Sequence, residues 1–412
     1  MQGLPLALAT AGAYLLKSIW TFERYLEEYE KRWNVSPRRP LQLREYQDRT
    51  LYTTWDLSYR RLRKEDTNAA RLLKLLAYFN NQHIWFDLMH AGITDDCPEW
   101  LIAIIGDASN FESIMMMLTD YCFVEPQLAS QSYSLHVCVH DWTLAGLNQH
   151  VESWSYWYAF ACVANSILSA TRTRTLSSRS DMLAWHSLGQ IRYARLAPHA
   201  VRLTHPNFDE VGEKIPANHI YGIEYISKLL QDQAQLRAAE LLYLRALAGN
   251  ETALGPGHTS TLDTVNNLGI LYRNQGKLDK AEQMYLRALA GYETALGPKH
   301  TSMLNTVNNL GGLYWDQGKL DKAEQMWLRA LAGRETALGP KHILTLDSKH
   351  CIANLYRDQG KVDEAESIYE SLIISYERAS GDDHPSTMML VHNFGVLYEH
   401  RSRLKDTERI YQ

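Results

Sequence analysis

The stretch "GPGHTSTLDTVNNLGILYRNQGKLDKAEQMYLRALAGYETALGPKHTSMLNTVNNLGGLYWDQGKLDKAEQMWLRALAGRETALGPKH" fills positions 255–342 and nearly says the same thing twice. The offset is 42 residues. It is marked by Gly276, Gly318 and Gly360 and, independently, by His258, His300, His342 and His384. Two markers with one spacing identify a repeat array.

Within one copy, Leu262, Val265, Leu268, Gly269 and Tyr272 recur three to four residues apart, which places them on one face of a helix. Gly276 ends that helix, because glycine enters the left-handed conformation at little cost. Asp279-Lys-Ala-Glu282 then reads as a capping box opening a second helix, repeated at Asp321 to Glu324 and Asp363 to Glu366. That helix carries Leu278, Ala281, Tyr285, Ala288 and Leu289 on one side and stops before Gly297-Pro298. A lone helical hairpin cannot bury its apolar faces, so the copies must stack into a superhelix with a continuous core and a concave groove. Gly269, Gly311 and Ala353, with Ala281, Ala323 and Ala365, allow close helix approach, and Tyr285, Trp327 and Tyr369 fill the space between.

The spacing L-G-x-x-Y, then Ala, then an aromatic, then Ala, resembles the tetratricopeptide repeat, and the "LGPKH" linker resembles the 42-residue kinesin-light-chain type. Residues 220–254 carry a worn copy (Ala239, Glu240, Tyr243, Ala246), 344–380 one with Ala353 and Leu372 substituted, and 386–412 one that stops in its second helix. The final copy lacks a polar capping helix, which is the pattern of an array cut short. The resemblance places function on the groove side of the first helices, at Asn267, Asn309 and Asn393, with Asp263 and Asn305 beside them. It implies that these amides hydrogen-bond the backbone of an extended bound peptide, since a primary amide both donates and accepts. Bonds within or between repeats are the other reading of the same asparagines. The linker histidines read as caps or packing residues rather than metal ligands, because Pro385 after His384 marks a helix start. The Gly-Lys pairs at 276–277, 318–319 and 360–361 lack phosphate-loop spacing.

The whole chain has 412 residues, 45% hydrophobic and 22% charged, an ordinary globular composition with room for two or three domains. Forty-two basic against 47 acidic side chains give a net charge of −5, so nothing in bulk favours nucleic acid or an anionic membrane. The five cysteines are scattered without a C-x-x-C pair, which suggests neither a disulfide framework nor zinc and fits a reducing, cytoplasmic compartment. The apolar opening MQGLPLALATAGAYLL has no basic residue before it, contains Pro5 and is interrupted by Lys17, so neither a secretory signal nor a membrane span is expected.

The first half contains a second resemblance. "GLPLA" at Gly3 to Ala7, followed by ALATAGAYL, is similar to a motif of the nucleotide-binding (NB-ARC) module in NLR-type STAND proteins. Pro5 suits the first turn of a helix. Residues 53–62, 69–84 and 111–124 read as amphipathic helices, with a strand starting near Tyr121. YSLHVCVHDW (133–142) alternates, with Ser134, His136 and Cys138 on its polar face, and reads as the hairpin partner. Helices followed by a hairpin suggest a winged helix. The resemblance makes His136 the match of a histidine that contacts the diphosphate of ADP, although the flanking Met and Asp of that motif are not kept. The P-loop of such a module is expected before residue 1, so Pro5 and His136 read as remnants of a nucleotide site, and ADP is expected only if a P-loop is supplied from elsewhere. WSYWYAFACVANSIL (154–168) reads as a buried helix, TRTRTLSSRS (171–180) as a loop and 184–203 as helical.

The expected fold is therefore mainly α. A helical remnant (1–40), a winged-helix-like domain with a small β-hairpin (41–150) and a helical connector (151–218) precede a tetratricopeptide solenoid (219–412). The expected function is a non-enzymatic scaffold or sensor that binds a protein or peptide in its groove as part of an NLR-like signalling protein, without metal or cofactor. A nucleotide-dependent switch whose P-loop lies outside the chain is the second reading. Nucleic-acid binding, suggested by the winged helix and Arg60, Arg61, Arg63 and Lys64, is opposed by the net charge. No G-x-S-x-G, H-E-x-x-H or cysteine-nucleophile motif supports an enzyme.

Overall fold

The computed structural model describes residues 3–35, 49–173, 193–212, 215–216, 219–380 and 385–400. The chain divides into two compact units, Met1–Arg245 and Ala246–Gln412.

The first unit contains α1 (Gly3–Leu16), α2 (Phe22–Val35), α3 (Arg49–Glu65), α4 (Thr67–Leu76), α5 (Phe86–His90), α6 (Glu99–Ile105) and α7 (Ala108–Asp120). An antiparallel hairpin follows, β1 (Glu125–Gln127) and β2 (Ser132–Ser134), then α8 (Val137–Trp142), α9 (Ser153–Thr173), α10 (193–202), α11 (Asp209–Gly212), α12 (Ile220–Asp232) and the start of α13 (Leu236–Leu254). Pro5 lies in the first turn of α1. Tyr14, Tyr25 and Leu57 join the first three helices, and α9 is buried through most of its length, packing on α5 and α12.

Three expectations for this unit are corrected. The strand starts at Glu125 rather than near Tyr121, because α7 runs on to Asp120. The helix expected over 69–84 stops at Leu76, and Ile84 instead bridges Tyr133 beside the hairpin. The strand expected over 133–142 ends at Ser134, and Val137–Trp142 is helical. Leu135, Cys138, Val139 and Trp142 are the buried apolar residues there, recurring three and four apart, and Trp142 lies between Trp55 and Phe123 with ring centroids 5.8 and 5.9 Å away. That core demands the helical period rather than alternation. The expected loop 171–180 and helix 184–203 fall partly outside the described residues; 171–173 end α9 and 193–202 form α10.

Residues 77–84 leave α4 as irregular backbone, and buried side chains satisfy it. His140 of α8 bonds the Phe79 carbonyl (2.9 Å). His199 of α10 accepts from the Asn80 N–H through Nδ1 (3.1 Å) and bonds the His83 carbonyl through Nε2 (2.9 Å). Arg202 donates twice to the Ala77 carbonyl. Burial holds His140 down to about 3, helped by Arg202, and His199 down to about 4, with His83 and Arg195 acting in the same direction.

The second unit continues α13 with α14 (Thr259–Asn274), α15 (Leu278–Ala295), α16 (Thr301–Asp316), α17 (Leu320–Leu338), α18 (Ile343–Asp358), α19 (Val362–Ser380) and α20 (Pro385–His400). These are the hairpins that the repeat implies. Gly276, Gly318 and Gly360 sit at φ +73°, +71° and +74°. At the first of these, Gly276 N–H donates to the Arg273 carbonyl (2.9 Å) and Lys277 N–H to the Tyr272 carbonyl (2.8 Å), a Schellman closure repeated in the next two copies. A Cβ on Gly269 or Gly311 would stand 2.6 Å from the ring of Tyr285 or Trp327, and one on Gly291 or Gly333 would stand 2.3 Å from Leu262 or Leu304. The two helices of a hairpin thus touch at two glycine notches, and the sequence pattern disclosed only the first.

His258, His300 and His342 cap α14, α16 and α18, each accepting a backbone N–H through Nδ1 at 3.2 Å. His384 and residues 401–412 lie outside the described residues. The expected capping boxes do not form at α15 and α17. Lys277 and Lys319 occupy the cap positions, where neither side chain caps the helix, and Asp279 and Asp321 lie inside the first turn, where a negative charge suits the helix dipole. Glu282 reaches the next hairpin instead, accepting from the Tyr314 hydroxyl (3.1 Å) and Gln317 amide (3.2 Å), and Glu324 does the same with Tyr356 and Gln359.

Two measurements check this account. Gly311→Ala should cost about 1–3 kcal/mol in urea unfolding by overpacking Trp327, and Trp327→Leu in the same chain should recover part of that loss. His140 and His199 stay neutral in the fold but bind protons below about pH 6.5 once unfolded, so stability falls as pH drops. By pH 5 the loss should be about 2 kcal/mol for each imidazole. His199→Gln, which can still accept and donate, should flatten the acid limb of the stability curve; an unchanged limb would refute the assignment.

Candidate functional site

Successive first helices (α14, α16, α18, α20) pack directly on one another, whereas the second helices stand further apart and meet at the tips of long side chains, as in the ion pairs Arg287–Glu251 and Arg329–Glu293. The array therefore curves with its first helices inside. Their residues outside the core form the inner face: Asp263, Asn266, Asn267, Ile270, Arg273 and Asn274 on α14, with the matching positions on the next helices.

The five candidate groove residues all lie on this face, in different situations. Asn309 donates to Asn266 Oδ1 (3.3 Å), which also accepts from Thr306 (3.0 Å), and Asn393 pairs with His350 Nε2 (2.8 Å). These are bonds between neighbouring first helices, each joining a residue to one 43 positions on. The same offset joins Arg273 to Asp316 by a two-point ion pair, and Trp315 Nε1 to Asp358 at 2.9 Å. Asn267 is half-buried and makes no side-chain hydrogen bond among the described residues, which leaves its amide available.

Asp263 and Asn305 bond inward to their own hairpin's second helix. The Tyr292 hydroxyl donates to Asp263, and Tyr376 donates to the matching Asp347 (2.6 Å). Between them the pair is different: Arg334 replaces the tyrosine, and its Nη2 donates to Asn305 Oδ1 (2.7 Å). Arg334 Nη1 donates to the Leu344 carbonyl and the Ser348 hydroxyl, both at 2.7 Å, and to Asn308 Oδ1 (3.4 Å). The guanidinium is 3% exposed and has no carboxylate partner among the described residues. Burial draws its pKa down, and the charge of Asp347 opposes that. Sequence reading missed Arg334, although the signal was present as the one basic residue in the column Asn250, Tyr292, Arg334 and Tyr376.

The copies at 261–302 and 303–344 differ at nine positions: 261/303, 263/305, 270/312, 273/315, 274/316, 285/327, 292/334, 301/343 and 302/344. Four of these, 263/305 through 274/316, are inner-face residues of the first helix, and 292/334 is the side chain that bonds 263/305. Some changes are coupled. Where Ile270 stands in one copy Gly312 stands in the next, and a Cβ there would meet the Arg273 guanidinium at 2.6 Å as it crosses to Asp316.

The nucleotide-contact candidates lie in the other unit. His136 is half-buried and caps α8, accepting the Cys138 N–H through Nδ1 (3.3 Å), while Ser134 and Cys138, expected on a polar face, are buried. Pro5 belongs to α1. Among the described residues no cluster of His, Cys, Asp or Glu could hold a metal ion, and no single helix is long and apolar enough to cross a membrane.

No curated protein sequence matches the chain. A putative kinesin light chain with nearly identical TPR-like repeats from Podospora anserina is similar at 21% identity, covering 47% of this chain and 91% of its own, with a TM-score of 0.42. BtubC (BKLC) from P. vanneervenii is similar at 20% identity over 61% of this chain and 86% of its own (TM-score 0.43). A STAND protein with a tetratricopeptide repeat sensor from Pyrococcus horikoshii is similar at 12% identity over 98% of this chain and 64% of its own (TM-score 0.40). The tetratricopeptide repeat family model matches residues 223–260, 261–302, 303–344 and 345–386. Residues 223–386 are thus an array of four tetratricopeptide repeats.

Proposed function

We propose that the chain is a non-enzymatic interaction scaffold that holds an extended peptide or protein segment along the inner face of its repeats. The observation that carries this reading is the distribution of differences between the two nearly identical copies. Five of the nine differences fall on inner-face residues 263, 270, 273 and 274 and on the residue that braces 263, against two in the buried core, 261 and 285, and two in the first turn of the next helix, 301 and 302. A row that folding leaves free to vary, on the concave side of a solenoid, suits contact with a non-repetitive ligand. The unpaired amide of Asn267 would serve a ligand backbone, while Asn309 and Asn393 act first as ties between helices.

The first unit fits the back portion of an NLR-like signalling module, with α3 to α7 and the hairpin as its winged helix. Support comes from the order of helices and hairpin and from GLPLA in the first turn of α1. The Nδ1 lone pair of His136 already serves the cap of α8, so the reading assigns the chain no nucleotide of its own. Five free cysteines agree with a cytoplasmic setting.

The test transplants one row. Asn305→Asp, Gly312→Ile, Trp315→Arg, Asp316→Asn and Arg334→Tyr together give the third copy the inner face of the second, using residues that already fold there. A partner recovered with the full chain should bind this variant at least about tenfold more weakly by calorimetry, a loss of about 1.4 kcal/mol. Leu286→Ala with Leu328→Ala, on the outer helices, should leave its affinity unchanged. Equal affinity for the row variant and the wild type would refute the reading.

A further inference from the structure

The inner face contains three rungs whose chemistry alternates. In the outer two, a tyrosine hydroxyl occupies one oxygen of Asp263 or Asp347, and the second oxygen and the negative charge remain. Burial and the bond to Asp347 push the Tyr376 hydroxyl up, so it stays a donor. In the middle rung the order of donor and acceptor is reversed. Arg334 holds Asn305 by Oδ1, which leaves the Nδ2 donors without an acceptor among the described residues and a guanidinium charge directly behind them. The other charges on the face are paired, Arg273 with Asp316, Arg357 with Asp358 and Lys349 with Glu335. Among the described residues Asp263, Arg334 and Asp347 have no ion-pair partner, so the face reads negative, positive, negative at intervals of one repeat.

From this alternation, and resting on the groove reading above, we infer that the ligand is a peptide carrying an acidic side chain flanked on both sides by basic ones. The acid accepts from Asn305 Nδ2 over the Arg334 charge, and the two bases meet Asp263 and Asp347. Adjacent packed helices lie about 8–10 Å apart, and an extended chain advances about 3.3 Å per residue, so one rung spans about three residues. The recognition pattern is therefore basic-x-x-acidic-x-x-basic. It reads the same in both directions and so does not depend on ligand polarity. Asn305 is the specificity-determining residue. An aspartate at 305 would pair with Arg334, as charge-assisted bonds are the stronger kind, and the middle rung would present a carboxylate like its neighbours.

A phage-displayed library of random twelve-residue peptides, panned on the full chain and sequenced, tests this. Enrichment of the basic-x-x-acidic-x-x-basic pattern is expected, and a selected peptide should lose at least about tenfold in affinity against Asn305→Asp, an effect in the range of close charge pairs. That substitution keeps the residue found at Asp263 and Asp347, and its fold is checked by its unfolding midpoint, which should not fall. Binders that lack the pattern but are lost on the row variant described above would overturn the charge alternation and leave the groove reading standing. A library that yields no binders, or binders indifferent to both variants, would overturn both.

Discussion

The array depends on how closely the two helices of one hairpin approach. Gly269 and Gly311 lie directly under the rings of Tyr285 and Trp327, and Gly291 and Gly333 admit Leu262 and Leu304. With two notches on each pair, the hairpin has little freedom to slide or rotate, and the aromatic side chain is fully enclosed. The hairpin still has an apolar flank that only another hairpin can cover. Leu262, Val265, Ala288 and Tyr292 of one copy therefore share a core with Met303, Leu304, Val307 and Ala330 of the next. Dispersion in that core is short-ranged and shape-dependent, so each copy has to present nearly the same surface to its neighbour. This explains why the sequence repeats.

The same constraint identifies what is free. Turn glycines Gly276, Gly318 and Gly360, most core positions and the inter-hairpin acceptors Glu282 and Glu324 keep one chemistry from copy to copy, because a change in one must be matched next door. Inner-face positions face solvent on one side and the adjacent first helix on the other, and they can change if the cross-helix bonds are rebuilt. The structure shows such rebuilding. Gly312 appears where Arg273 needs passage to Asp316, and Trp315 keeps a donor for Asp358 where the preceding copy has arginine. The Asn305–Arg334 pair is a similar exchange made along one hairpin, with the donor and acceptor strengths redistributed and the geometry retained.

Much of this was legible in the sequence because repetition acts as its own control. Helix limits, turn glycines and the aromatic fillers could each be checked three times at one spacing. Partners separated by a full repeat could not be read that way. Asp279 and Glu282 have capping-box spacing, but the carboxylate finds a hydroxyl and an amide on the next hairpin, and a one-dimensional pattern carries no information about that competitor. The asparagines show the same limit: the column was visible, but whether each amide faces a ligand or a neighbouring helix depends on residues 43 positions away. In the first unit there is no repetition to help. Val137–Trp142 has apolar residues at both a two-residue and a helical spacing, and only the seat of Trp142 between Trp55 and Phe123 selects the helix. Residues 77–84 lose helix for a comparable reason, since His140, His199 and Arg202, distant in sequence, offer their backbone the bonds that a helix would otherwise supply.

Buried polar groups are thus used in two ways in this chain. In the first unit, imidazoles and a guanidinium satisfy a single irregular segment, and their burial makes neutrality of the histidines a condition of the fold. In the repeats, Arg334 is buried with only neutral acceptors, an arrangement that stabilises less than an ion pair would. An aspartate at 305, as at 263 and 347, would provide that ion pair with a single substitution. A solenoid that keeps asparagine there forgoes a strong internal bond, and in return retains a positive charge without a directly bonded carboxylate at the centre of its inner face, flanked by two carboxylates. That charge is of no use to the core and is available to whatever lies along the groove.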